Sequence, residues 1–103
     1  NHLYLIAGAY FNIGNIKYEK GEYDSCVSYF LKANEIFDNP KIFEDKTLKQ
    51  RVLDKKKSDL YSNISSVFNT LKNLPKADEY IDKAIVIAES YSNNAEKGII
   101  KWK

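Results

Sequence analysis

Apolar residues recur at helical spacing along most of the chain, and short polar turns divide them into segments. Tyr10, Ile13, Gly14 and Lys17 fall on one helical face, at intervals of three and four. Gly21 breaks that run. A second stripe follows at Tyr23, Cys26, Phe30, Ala33 and Ile36/Phe37. It ends at Asp38-Asn39-Pro40, where Pro40 cannot continue a helix. Helices over 1–20 and 22–37, joined by a glycine-centred turn, predict an antiparallel hairpin.

A third stripe comprises Leu48, Val52, Leu53, Leu60, Ile64, Val67 and Leu71. No Gly or Pro interrupts Lys41 to Leu74, so the pattern predicts a long third helix, from Phe43 or Asp45 to Lys72. The alternative is two helices broken near Asp54 to Ser58, where the stripe turns polar. Pro75 suits the first turn of a fourth helix, which is expected to end near Ser90 to Ser92. Asn93-Asn94 reads as a break. Residues 95–103 read as the start of a fifth helix, truncated, whose Ile99, Ile100 and Trp102 need a cover.

Comparing the chain with itself at a shift of 51 residues aligns Tyr10 with Tyr61, Asn12 with Asn63, Ile13 with Ile64 and Ile16 with Val67. The second helices align as well: Cys26 with Ala77, Tyr29 with Tyr80, Phe30 with Ile81, Ala33 with Ala84 and Ile36 with Ile87. An internal repeat is the simplest account. The domain is then all-α, with hairpin 1 over 3–38, an insertion or helix extension over 41–57, hairpin 2 over 58–91 and a partial helix over 95–103.

These residues resemble the tetratricopeptide repeat. The first copy supplies Tyr10, Ile13-Gly14, Gly21, Tyr23, Cys26, Phe30 and Ala33 of its pattern; the second supplies Tyr61, Ile64-Ser65, Phe68, Ala77, Ile81 and Ala84. Gly14, Ser65, Cys26, Ala33, Ala77 and Ala84 are the small residues that let paired helices approach, and a large side chain there would strain the packing. The sequence departs from the family in three ways. Lys17 stands where an aromatic is usual, Lys72-Asn73 replaces the glycine of the second turn, and the spacing is 51 rather than about 34.

The chain has 103 residues, enough for one domain, but two hairpins are fewer than the roughly three repeats such arrays need. It begins at Asn1 rather than Met, which suggests a piece of a longer protein. Sixteen basic and 14 acidic residues leave a net charge of +2, too balanced to argue for nucleic acid or membrane. The one cysteine, Cys26, sits on a packing stripe and reads as a buried, inert thiol. No apolar run is long enough to span a membrane and no signal peptide opens the chain, so cytoplasm is the default. The excess of Lys over Arg, with abundant Asn and Ile, suggests a bacterial, AT-rich source.

Catalytic signals are nearly absent, and the expectation is no enzyme, no cofactor and no metal. His2 has no partner in a motif, and neither a metal-ligand spacing nor a phosphate loop nor a nucleophile elbow occurs. The basic run Lys49-Gln50-Arg51 and Lys55-Lys56-Lys57 is interleaved with Asp54 and Asp59 and reads as a solvated face, not a nucleic-acid contact.

The resemblance implies a concave groove lined by the first helix of each hairpin. On that face stand Asn12 and Asn15 in the first copy, and Asn63, Ser66 and Thr70 in the second. Phe11 and Tyr18 border it and are expected to pack against ligand side chains. An Asn amide carries both donor and acceptor, so it can pair with the backbone of an extended peptide of any sequence. The carboxylate clamp of chaperone-docking relatives is disfavoured, because Phe11 and Ser62 occupy the positions where a clamp Lys would be sought. The chain is expected to be a peptide- or protein-binding scaffold without direct nucleic-acid or membrane contact. It is similar to the repeat domain of Gram-positive peptide-sensing regulators of the Rap, PlcR and NprR kind, which would make it the regulatory part of a larger transcription regulator. The alternatives are an oligomerisation module, forming a homodimer, or the regulatory part of an enzyme.

Overall fold

The computed structural model describes the backbone of residues 2–102 and the side chains of residues 2–90. Four helices account for most of the chain: α1 (Leu3–Glu19), α2 (Tyr23–Phe37), α3 (Gln50–Thr70) and α4 (Leu74–Trp102). A short 3-10 helix, Pro40–Glu44, leads from α2 toward α3. α1 packs on α2, α3 packs on α4, and α2 packs on α3. The result is an all-α arrangement of two helical hairpins side by side.

The two hairpins turn in the same way. Gly21 has φ +76°, in the left-handed region. Its N–H donates to the Tyr18 carbonyl, and the N–H of Glu22 donates to the Lys17 carbonyl. That pair of bonds is the Schellman ending of a helix. Fifty-one residues on, Lys72 has φ +64° and repeats the geometry: Lys72 N–H donates to Asn69 O, and Asn73 N–H to Phe68 O. A lysine thus occupies a position that glycine suits. Asn73 compensates at the next helix, where its side-chain oxygen accepts from Lys76 N–H.

Small residues set the separation within each hairpin. Ala7 and Gly14 of α1 are buried, as are Ala33 and Cys26 of α2. A Cβ added at Gly14 would overlap the Phe30 ring. The second hairpin carries Ser58 and Ser65 where the first has Ala7 and Gly14. Both hydroxyls cross to α4: Ser58 donates to Ala84 O at 3.2 Å, and Ser65 to Ala77 O at 2.7 Å. In sequence, Ile81 stands where the first hairpin has the bulkier Phe30.

A second duplicated feature lies beside these contacts. The Tyr10 and Tyr29 rings sit 6.0 Å apart, and the Lys32 ammonium lies over both. Tyr61 and Tyr80 are also 6.0 Å apart, with Lys83 over both. Each member lies 51 residues from its counterpart. The repeat therefore extends to a cation–π cluster, a contact worth roughly 0.5–1 kcal/mol at an exposed site.

Three expectations need correction. The buried face of α1 is Ala7, Phe11 and Gly14, while Ile13 and Ile16 are exposed. α1 is apolar almost all round, so spacing alone could not choose its face. Second, α3 begins at Gln50, not at Phe43 or Asp45. Pro40 opens the 3-10 turn, Asn39 caps it by accepting from Lys41 N–H, and Asp45 accepts from both the N–H and hydroxyl of Thr47. These local bonds compete with helix. From Gln50 onward α3 is unbroken through Asp54 to Ser58, as the long-helix reading expects, and the alternative break does not occur. Third, α4 runs through Asn93-Asn94 to Trp102, so among the described residues there is no separate fifth helix. Asn costs a helix only a few tenths of a kcal/mol and lacks proline's steric veto. The side chains of Ile99, Ile100 and Trp102 lie outside the described residues.

Lys72→Gly should stabilise the fold by about 0.5–1 kcal/mol, because it removes the Cβ penalty of the left-handed position. Urea unfolding measures this directly; a variant no more stable than the parent would contradict the assigned turn.

Candidate functional site

The candidate site is a cleft between α1 and α3 with α2 as its floor. It has a volume of about 190 Å³ and is lined by Asn15, Tyr18, Phe30, Asn63 and Ser66. Its wall is fixed from below by packing. Phe30 is buried and meets Phe11 edge-on, with centroids 5.6 Å apart and planes at 85°. On the opposite side of α3 from α4 stand Leu53, Leu60, Ile64 and Val67, all buried. α2 is the other helix packed on α3, so these residues are the seam between the hairpins.

Polar bonds tie the rims together. The Asn63 side-chain N–H donates to Asn15 Oδ1 at 3.0 Å. Tyr18 and Thr70 hydroxyls are 3.2 Å apart, and Thr70 also donates to Ser66 O. Ser66 donates to Ser62 O. The Asn15–Asn63 bond uses one donor and one acceptor. Among the described residues, the Asn15 NH₂ and the Asn63 carbonyl have no side-chain partner. No charged residue lines the cleft. Its volume is below the roughly 300 Å³ of ordinary small-molecule sites, so it suits one residue-sized part of a longer ligand.

Of the residues expected here, Asn15, Tyr18, Asn63 and Ser66 line the cleft, and Thr70 borders it through Tyr18. Asn12 is exposed and outside the lining, although its repeat counterpart Asn63 is at the centre. The pairing across the hairpins is Asn63 with Asn15, because side chains on neighbouring first helices meet with a stagger. Phe11 corrects an expectation: it is 5% exposed and belongs to the core. Phe30 was not expected in the cleft. Its signal was present in Gly14, whose missing side chain makes room for that ring.

The basic run divides in two. Lys57 pairs with Asp38 at 2.7 Å and Lys56 lies over the Phe11 ring, so both fasten α3 to the first hairpin. Lys49, Arg51 and Lys55 line a separate depression with Val52 at the start of α3. Among the described residues no group of His, Cys, Asp and Glu is placed to hold a metal ion, and no helix is long and apolar enough to cross a membrane.

The comparisons with known proteins bear on the first hairpin, where the Gly14–Phe30 fit, the Schellman turn and the buried Ala33 fall within one stretch. Residues 7–40 match the tetratricopeptide repeat. The match spans one period of about 34 residues. No curated protein and no solved structure matches the chain. The tetratricopeptide repeat is a protein-interaction element, and the fold is of that helical-repeat type. The second hairpin carries the same architecture in altered sequence: serines for Ala7 and Gly14, and lysine for the turn glycine.

Burial shifts two ionisable groups of the core, Cys26 and Tyr61. The Cys26 thiol, buried between α1 and α2, is pushed from 9.0 to about 11 by loss of solvation. Loss of solvation, then the charge of Asp38 and then Tyr80, raises Tyr61 from 10.0 to about 12. In both cases the folded value exceeds the unfolded one, so the folded chain holds the proton longer. Stability is therefore full below pH 9 and falls as pH rises, first between 9 and 11 and then between 10 and 12. Urea midpoints measured across this range should decline, and Cys26→Ala should remove the earlier part of the decline. A midpoint flat from pH 9 to 11 in the parent would contradict the burial of this thiol.

Proposed function

We propose that the chain binds an extended peptide, or an extended loop of a partner protein, across the cleft between α1 and α3. The observation that carries this reading is the Asn63–Asn15 bond, which holds an amide donor and an amide acceptor side by side at an uncharged opening. A peptide backbone presents the complementary pair at every residue. Phe30 at the floor supplies an apolar surface for one side chain. The reading is a binding role without catalysis.

On this reading the chain is a regulatory domain of a larger cytoplasmic, bacterial protein, of the kind that responds to peptides and controls transcription. The composition supports a bacterial source, and the position of the cleft supports a regulatory role. The cleft spans the seam between hairpins, so an occupant touches both. An occupant that binds one hairpin tilt more tightly than another would shift the population toward it.

Peptides selected from a random display library on the immobilised chain provide the probe. Their affinity, measured by calorimetry, should fall about 2- to 10-fold for Asn15→Ala and again for Asn63→Ala, the loss of one hydrogen bond each. Asn12→Ala should leave it unchanged. Selected peptides insensitive to both Asn15→Ala and Asn63→Ala would overturn the reading, as would a library that yields no binder.

A further inference from the structure

One face of α3 links the cleft to the basic depression at the start of that helix. Val52, Lys55, Asp59, Asn63, Ser66 and Thr70 follow at intervals of three and four, so they share a face. Asn63 and Ser66 line the cleft, and Val52 and Lys55 line the depression with Lys49 and Arg51. Three contacts mark the edge this face shares with α1: Tyr18 with Thr70, Asn15 with Asn63, and Phe11 with the Lys56 ammonium over its ring. They fall in the same order along both helices. The groove that holds the cleft therefore runs on toward the first turns of α3.

The depression differs from the cleft in charge. It has a volume of about 380 Å³, and Lys49, Arg51 and Lys55 surround Val52 in its lining. Lys56 and Lys57 are engaged by the fold, but among the described residues Lys49 and Arg51 make no ion pair. Lys55 makes one, with Asp59 at 3.8 Å, and both side chains are more than half exposed. Such a pair holds little energy against a competing carboxylate. Val52 is 46% exposed and gives the depression an apolar centre. Cations around an apolar centre suit the methylenes and carboxylate of an acidic side chain, and an arginine takes a carboxylate through two parallel N–H bonds.

Spacing sets the register. Val52 stands 11 positions before Asn63, about 16 Å along the helix axis. An extended peptide covers that distance in about five residues. Asp59 lies between, about 6 Å from Asn63 or about two peptide residues along, and disfavours a second acid there.

We propose that the ligand of this groove is an acidic peptide with its charge in a set place. One residue sits at the cleft, and an Asp or Glu about five residues from it enters the depression of Lys49, Arg51 and Lys55. This rests on the peptide reading of the cleft and adds to it the chemistry of the ligand.

The peptides selected on the immobilised chain test it. Aligned on the apolar residue they share, they should be enriched in Asp or Glu about five positions away and depleted of both about two positions away. Arg51→Ala should weaken a selected peptide about 2- to 5-fold, the loss of one partly exposed ion pair. Replacing the peptide's acid by Lys should weaken binding to the parent and restore it to Arg51→Glu. Arg51 is exposed, and circular dichroism verifies that both variants fold. Peptides that depend on Asn15 and Asn63 but carry no placed acid, or that ignore the charge exchange, would overturn this inference and leave the cleft reading standing. So would a mixed-sequence RNA that binds more tightly than any peptide, which would assign the depression to phosphates. Peptides insensitive to Asn15→Ala and Asn63→Ala, or a library that yields no binder, would overturn both.

Discussion

The close approach of two helices at small residues is the constraint on which the rest depends. Where Gly14 faces Phe30, the ring occupies the space a side chain would need. Phe30 is thereby held inward, wedged against Phe11, and it floors the cleft between the hairpins. A larger residue at position 14 would displace the ring, and with it the seat on which Asn15 and Asn63 converge. Packing and binding surface are thus set by one contact.

The two hairpins solve the same problem with different chemistry. The first uses glycine and alanine against a large aromatic. The second uses Ser65 and Ser58, which would leave buried hydroxyls unsatisfied, and directs both to carbonyls of α4. A buried hydroxyl without a partner costs about 1–3 kcal/mol, so these bonds are what permit serine between α3 and α4. The lysine–tyrosine–tyrosine cluster, in contrast, is kept unchanged in both copies. It stands clear of the cleft lining, and its duplication argues for a part in holding each hairpin together.

Much of the fold was legible because its determinants are local or periodic. Gly21 marked a turn, and the shift of 51 residues found Ala33 with Ala84 and Tyr29 with Tyr80. The start of α3 was hidden, because Asn39 and Asp45 divert the backbone through single side-chain bonds that periodicity does not register. The buried face of α1 was hidden for a different reason. A helix with apolar residues on two sides has no preferred period, and Phe11 was assigned to the groove when its place is the core. Asn12 and Asn63 are equivalent in sequence, but neighbours in space are fixed by the stagger between helices. Asn15 therefore became the partner of Asn63, a choice made by tertiary geometry alone.

Equilibrium urea unfolding of Gly14→Ala beside Gly14→Ala/Phe30→Ile tests the central claim most directly. Alanine in a helix interior gains roughly 0.5–1 kcal/mol over glycine, so a free site would be stabilised. The close approach predicts a net loss of about 1–3 kcal/mol for the single variant, the usual cost of overpacking. It also predicts partial recovery in the double variant, which adopts at position 30 the isoleucine of position 81. A single variant as stable as the parent, or more so, would contradict it.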